Sequence, residues 1–547
     1  MLASKFNSHS RTSWWIDSLF LLIFLGVIFF LWLGSRPLFV PDEGRYAEIA
    51  REMAASGNYI TPYLNGIKYF EKPVLFYWLG AFAIKFAGLS LWTLRSINAC
   101  LALAGCLLTY WVSRHLYDRL TGLLAALILG TSTLFFVMSH MIGLDLPVSI
   151  FISASLYFFL LGSKEPCRSY FWAAAISAAL AVLSKGLIGI VFPAIIAGMW
   201  ICLTSQWKIL RQAYLLSSSL IFLVIVTPWH YLVNLYNPEF FHFYFIEQHL
   251  LRYTTKDIGH YQPSWFFLPY LMLGLFPWCV FLPQTITRLL PLIWKQRQTY
   301  QKELFFLLWA VFIFSFFSFS KSKLIPYILP VFPPLAVLIA RYLSTCLRQK
   351  QVLGLRLSYS CLLLLSLLLY AAYLYFMPHN SYLSVAACIL VFGALIANVL
   401  IYWNAIYAYA LTIITAGLFL SCSLASLSSL DSRTILPLAK SLKPLLRAQD
   451  EVITYNQYYQ DLPFYLQRRV SILNWRNELG FGMAHQDTGA WMIQDKVFWQ
   501  RFHSEQRVFV LMSISEYQTL RQNRPNEKIY LLAKTPTNVL ISNKNKP

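Results

Sequence analysis

Apolar stretches of 17 to 25 residues recur along the first 430 positions of the chain, each long enough to carry a helix across about 30 Å of hydrocarbon. That recurrence predicts a polytopic α-helical membrane protein. Of the 547 residues, 58% are apolar and only 12% charged, where a soluble domain carries about a quarter charged. Thirteen spans are expected, near 14 to 34, 92 to 113, 120 to 138, 146 to 162, 170 to 184, 187 to 204, 213 to 231, 265 to 287, 304 to 320, 325 to 341, 355 to 376, 382 to 403 and 405 to 427. The first is too long for a secretory signal and lacks the small-residue cleavage pattern, so it reads as a retained span. Segment 73 to 89 is interrupted by Lys85 and reads as an amphipathic helix lying in the interface.

With the N terminus inside, the basic residues Lys5 and Arg11, Arg114 and Arg119, Lys164 and Arg168, Lys208 and Arg211, and those around Arg288 to Lys302 and Arg341 to Arg356 fall in cytoplasmic connections, as the positive-inside rule requires. Thirteen spans then put the C terminus outside. The same rule explains most of the net charge of +21, and no stretch has the form of a nucleic-acid-binding module. All nine cysteines lie in or beside spans, which supports neither a disulfide framework nor a cysteine metal site. From about 428 the composition turns mixed, with β-type runs at Glu451 to Tyr455, Val470 to Leu473, Arg507 to Met512, Lys528 to Leu532 and Asn538 to Ser542, and a helical stretch at Leu462 to Gln467. The expected organisation is a membrane domain over 1–430, with outer loops and interfacial helices, and a small soluble α/β domain over 431–547.

Charge outside the cytoplasmic loops is concentrated. "VPDEGRYAEIAREM" follows the first span, and Asp42, Arg45, Tyr46, Ile49 and Met53 share one face of a helix there. A capped surface helix accounts for Asp42 and Glu43 taken alone. The other outer charges sit at span ends too: Tyr69, Glu71 and Lys72 in "YFEKP", Asp145 in "IGLDLP", Lys185 in "LSKG", and Lys321, Lys323 and Tyr327 in "FSKSKLIPYILP". By contrast, residues 357 to 430 hold no charged residue. Lysine, arginine and tyrosine gathered at a lipid–water boundary suit a phosphate held on a lipid, with carboxylates serving as base, sugar-amine partner or metal ligand. The expectation is one pocket at the outer rim. Glu247, His249, Arg252 and Tyr253 in "FYFIEQHLLRY" lie in a long outer stretch; Glu71 with His249 would suit zinc or a similar ion if the two approach.

Taken together, "RPLFVPDEGRYAEIAREM", "YFEKPVLFYW", "IGLDLP", "LSKGLIG", "IEQHLLRY" and "FSKSKLIPYILPVFPPLA", with "QYYQDLPFYLQRRV" and "NELGFG" near the C terminus, resemble the bacterial aminoarabinose lipid A transferases. These belong to the C-type glycosyltransferase (GT-C) superfamily, which includes the protein O-mannosyltransferases. The resemblance implies inverting transfer of 4-amino-4-deoxy-L-arabinose from undecaprenyl phosphate to a lipid A phosphate, on the periplasmic side of the inner membrane, by a monomer without an organic cofactor. It implies catalytic positions at Asp42, Glu43 and Asp145, and substrate contacts at Arg45, Tyr46, Tyr69, Lys72, Lys185, Arg252, Lys321, Lys323 and Tyr327. Glu71 and His249 look like a divalent-metal pair. Two other readings stay open on the residues: a sister enzyme moving a hexosamine or mannose, and a transporter or flippase. Transporters usually place ionisable groups near the midplane in broken helices, whereas here they sit at span ends.

Overall fold

The computed structural model describes residues 11–251, 261–349, 353–377, 380–430 and 434–545. Among these, nine helices are long and apolar enough to cross a membrane, or eleven if each of two bent pairs forms one span. All thirteen expected segments coincide with helices, but the count does not reach thirteen on that measure. Ile188–Thr204 has only 17 residues, and Arg168–Lys185 is rich in alanine and serine with a cation at each end. Leu75–Ala87 has 13 residues, about 20 Å of helix, too short to span.

The chain divides into two compact units. The first comprises Met1–Leu33, Arg95–Tyr231 and Phe241–Leu427; the second comprises Gly34–Leu94, Leu232–Phe240 and Ser428–Pro547. The C-terminal residues thus share a unit with the segment that follows the first helix.

In the first unit, one bent pair breaks at Thr131-Ser132 and the other at Phe276-Pro277. Arg119–Gly130 meets Thr133–Ser139 at 65°, and Ser264–Leu275 meets Trp278–Lys295 at 107°. A broken helix frees backbone groups that hydrocarbon cannot satisfy, and here the two breaks serve each other. Thr133 donates from its backbone N and its hydroxyl to the Phe276 carbonyl at 3.2 and 3.0 Å, and Trp278 Nε1 donates to Thr131 Oγ1 at 2.9 Å.

The first helix, Arg11–Phe30, carries an acid that the sequence reading did not single out. Asp17 is 3% exposed and accepts from Arg114 Nη1 at 2.7 Å, Arg119 Nη2 at 2.6 Å and the Tyr110 hydroxyl at 2.9 Å. The Arg114 guanidinium also lies 3.9 Å from the Trp14 ring centroid.

The second unit holds two sheets. A hairpin pairs β1 (Tyr63–Leu64) with β2 (Ile67–Lys68) around Asn65-Gly66, whose φ values of 53° and 74° are those of a type I′ turn. Six further strands are β3 (Glu451–Tyr455), β4 (Ser471–Leu473), β5 (Met492–Ile493), β6 (Val508–Ser513), β7 (Tyr530–Lys534) and β8 (Asn538–Ser542), in the order β5-β4-β3-β6-β8-β7. The first four neighbours run parallel and the β6-β8-β7 edge antiparallel. Ile453, Val510, Ile541, Phe498 and Phe502 pack in its core. The five expected strands are present within two residues of their bounds; β5 and the hairpin, at two residues per strand, were not foreseen.

Asp17→Ala strands two arginines without their carboxylate, and removal of one partner from a buried ion pair costs about 3–5 kcal/mol. The detergent-solubilised variant should therefore melt well below wild type by differential scanning fluorimetry. An unchanged midpoint would show that solvent, not Asp17, balances Arg114.

Candidate functional site

The candidate residues fall into one constellation in each unit. In the second unit, helix Asp42–Ser56 starts with Asp42 and Glu43 in its first turn and ends on Gly57 at φ 72°, whose N–H reaches the Met53 carbonyl, a left-handed C-terminal cap. Its buried face carries Tyr46, Ile49 and Met53, as the spacing predicts. Gly44 lets this helix approach the chain at Gln460 and Asp461. A Cβ there would lie 2.7 Å from the Asp461 nitrogen.

That approach brings Arg45 to Glu478. Arg45 Nη2 forms an ion pair with Glu478 Oε2, while Gln460 Nε2 donates to Glu478 Oε1 at 2.9 Å. Arg45 Nη1 lies 3.4 Å from Asp42 Oδ1. Burial opposes the charge on Arg45, but Tyr69, Glu478, Tyr46 and Asp42 more than offset it and hold the guanidinium protonated. Burial pushes the Glu478 carboxyl above the usual carboxylate range, against Arg45 and Gln460, with Glu71 and Asp42 adding to the rise. Tyr69 is buried and its phenol is raised by that burial, with Arg45 pulling the other way; among the described residues its hydroxyl has no hydrogen-bond partner. Tyr46 packs against Phe76 and Tyr77 at 6.5 and 6.2 Å between ring centroids.

The acids of the opening motif separate by environment. The Asp42 side chain is 51% exposed and is open to a ligand. Glu43 is fully buried: it accepts from Arg36 Nη1 at 2.6 Å, Arg36 Nη2 at 3.1 Å and the Phe39 nitrogen at 2.8 Å. Both carboxylate oxygens of Glu43, expected to be catalytic, are thus engaged at the helix entry. Glu71 and Lys72 are half-buried, and Glu71 is near enough to act on Tyr69 and Glu478.

In the first unit, Asp145 opens helix Asp145–Lys164 and Lys185 closes helix Arg168–Lys185, and the two form an ion pair. The Lys185 ammonium also lies 4.3 Å from the Tyr327 ring centroid, a cation–π contact. Asn98 Nδ2 fixes the loop before Asp145 by donating to the carbonyls of Met141 and Gly143 at 2.6 and 3.0 Å. Lys323 departs from expectation. It is 3% exposed, and its ammonium donates to the carbonyls of Gln262, at 2.8 Å, and Ser320. Burial, then Lys321, lowers it below the usual lysine range. It braces the loop, whereas Lys321 is exposed.

Arg252 and the side chain of His249 lie outside the described residues, as does Tyr253. Among the described residues no three His, Cys, Asp or Glu side chains gather as metal ligands; the expected pair of Glu71 and His249 includes a side chain outside them. Glu478, Gln460 and Arg36 were missed as site residues. "NELGFG" and "QYYQDLPFYLQRRV" contain the first two, but nothing local in those stretches points to Arg45.

Residues 8–244 match the family model of dolichyl-phosphate-mannose-protein mannosyltransferases, and residues 438–543 that of the aminoarabinose transferase C-terminal domain. The chain is 31% identical over 333 residues to the undecaprenyl phosphate-alpha-4-amino-4-deoxy-L-arabinose arabinosyl transferase of Enterobacter sp. (strain 638), and 34% identical over 354 residues to transferase 1 of that name from Proteus mirabilis (strain HI4320). These alignments cover 59% and 61% of this chain, and span about three-fifths of the relatives (59% and 60%). The crystal structure of ArnT from Cupriavidus metallidurans bound to undecaprenyl phosphate superposes with a TM-score of 0.85 at 27% identity, covering 98% of this chain and 99% of that one; its apo form gives 0.84.

The fold is thus that of a multi-pass membrane protein of the C-type glycosyltransferase class. Within that class, the chain is similar to the aminoarabinose transferases (ArnT) in its C-terminal domain, in sequence and in structure.

Gly44→Ala should separate the helix from residues 460–461, destabilising by about 1–3 kcal/mol as overpacking does, seen as a lower melting midpoint. Glu478 gives a pH signature. A carboxyl raised on folding contributes stability that is complete below its unfolded pKa and is lost as pH climbs through the folded value. The midpoint of wild type relative to Glu478→Gln should therefore fall as pH rises through the window above the usual carboxylate value. A rise across that window would show Arg45 outweighing burial.

Proposed function

We propose that the chain transfers 4-amino-4-deoxy-L-arabinose from undecaprenyl phosphate to a phosphate of lipid A, with inversion at the anomeric carbon, on the periplasmic face of the bacterial inner membrane. The carrying observation is the likeness over 98% of the chain to a protein whose structure was solved with undecaprenyl phosphate bound. The two constellations support it chemically. A polyprenyl phosphate leaves with growing negative charge, so cations that strengthen their hold as the glycosidic bond lengthens stabilise the transition state. Arg45 and Lys72 in one unit and Lys185 and Lys321 in the other are the proposed cations, with Tyr46, Tyr69 and Tyr327 beside them.

An acceptor phosphate is already ionised near neutral pH, so the nucleophile needs no strong base. Asp42, half-exposed and beside Arg45, is assigned to orient the acceptor or to stabilise positive charge on the sugar. Asp145 holds Lys185 in place through their ion pair. A divalent ion held by Glu71 and His249 would add positive charge to the site.

Expression in a strain lacking its own aminoarabinose transferase, followed by mass spectrometry of extracted lipid A, tests the proposal. A pentosamine increment is expected, with reduced polymyxin susceptibility because an added amine offsets phosphate charge. Asp42→Asn and Lys72→Ala should each abolish the increment with membrane insertion intact, and Lys185→Ala should slow it about a hundredfold. A hexosamine increment would support the sister enzyme, and unmodified lipid A would refute lipid A as the acceptor.

A further inference from the structure

The six-stranded sheet carries a polar pocket of about 330 Å³ that none of the proposed chemistry uses. It opens where β3, β4 and β5 begin, at Glu451, Ser471 and Trp491. Three arginines, Arg468, Arg469 and Arg501, face two acids, Asp450 and Glu451, which leaves a surplus of positive charge.

The partners show which cation is spare. Arg501 pairs with Glu451 and donates to the Ala490 carbonyl at 2.9 Å, and Arg468 donates to the Asp450 carbonyl at 2.9 Å. Asp450 caps the Arg447 nitrogen at 2.8 Å. Arg469 lies 4.1 Å from the Trp491 ring centroid, and among the described residues its guanidinium makes no hydrogen bond or ion pair. A planar guanidinium stacked on an indole is pre-organised for the two-pronged grip that phosphate and carboxylate accept.

That posture is built into the fold. Asn65 exchanges hydrogen bonds with the Val470 backbone, at 2.9 Å each way, and its carbonyl accepts from Trp491 Nε1 at 3.1 Å. Gly66, at φ +74°, leaves room for the Arg469 side chain, whose Cδ would lie 3.1 Å from a Cβ there. On the opposite side, Glu451 uses Oε1 for Ser471 and Arg501, so Oε2 remains an acceptor for a hydroxyl.

We propose that this pocket binds a phosphomonoester carried on a sugar ring, with Arg469 gripping the phosphate against Trp491 and Glu451 taking a ring hydroxyl. The volume sits at the low end of ligand pockets, suited to one phosphorylated monosaccharide and not to a whole lipid. Such a group comes either free or as the head group of a membrane glycolipid.

Full-length protein in phosphatidylcholine nanodiscs, titrated calorimetrically with N-acetylglucosamine 1-phosphate, tests the free source. Flotation of detergent-solubilised protein with phosphatidylcholine vesicles, with and without lipid A, tests the lipid-borne source. Saturable binding is expected in at least one arm, about tenfold or more weaker in Arg469→Ala. Arg469→Lys should recover part of it, since lysine keeps the charge but not the fork, and added salt should weaken it. Binding of the free compound assigns a soluble sugar phosphate, and binding to lipid A vesicles alone assigns a head group. Equal binding by wild type, Arg469→Ala and Arg468→Ala in both arms, or no saturable binding in either, overturns the inference. Lipid A modified in cells without such binding refutes this site alone; Arg469-dependent binding without modified lipid A refutes the transferase reading alone.

Discussion

A charge removed from water must be met by another, and the pairing of Arg45 with Glu478 is where that constraint shapes the candidate site. Desolvating an ion costs several kcal/mol, so an arginine one turn into a buried helix face is tolerable only because a carboxylate reaches it. The carboxylate comes from 433 positions further along the chain, and the absence of a side chain at Gly44 lets the helix lie against residues 460–461. The pair is balanced rather than inert. Glu478 is raised by burial, so an anionic ligand that approaches Arg45 competes with a carboxylate that is already costly to keep ionised. Proton uptake on Glu478 would release Arg45 to the ligand, whereas a fully solvated partner would hold it more firmly.

The same constraint separates structural charges from available ones in the first unit. Asp17 and Lys323 are both buried, and both have their charge answered at several points by neighbouring protein atoms. They hold helices and a loop in place. Asp145 and Lys185 are partly exposed and lean chiefly on each other and on the Tyr327 ring. With only 13% of the Lys185 side chain and 24% of Asp145 exposed, a phosphate that took the place of Asp145 would have to supply the negative charge that the carboxylate now gives.

This distinction is also where reading the sequence stops. Length and apolar content locate the long apolar helices, because hydrocarbon allows so few backbone solutions. They do not reveal that two of the spans break and knit at Thr131 and Phe276, since a Pro, a Gly or a Thr inside an apolar run is also common in unbroken membrane helices. Five strands of the six-stranded sheet follow from β-branched runs, but β5 has only two residues and no period to read. The Asn65-Gly66 turn was legible as a hairpin signal and lay between motifs chosen for their charges. Among the candidate residues, position in a motif singled out Asp42, Arg45 and Lys185 but could not tell that Glu43 is buried where Asp42 is exposed. Only the partners do that, and Arg36 for Glu43 is a matter of three-dimensional approach.

Under the proposed reaction, donor and acceptor each present a phosphate, and bringing two phosphates close is opposed by their own repulsion before any bond changes. At the reduced dielectric of a membrane boundary that repulsion amounts to several kcal/mol at a separation of a few ångströms. Cations meet this requirement more directly than a base does, because they lower the cost of approach and of departure alike. The composition of the two constellations follows that need: Arg45 is paired with Glu478 and Asp42, and Lys185 with Asp145, and tyrosine rings line both cations, excluding water without adding negative charge. A site built to deprotonate a neutral hydroxyl would need a carboxylate positioned and buried as the base. Here the buried acids Glu43 and Glu478 are already committed to arginines, and the exposed one, Asp42, stands beside a guanidinium, an arrangement that favours a nucleophile arriving with its charge already in place.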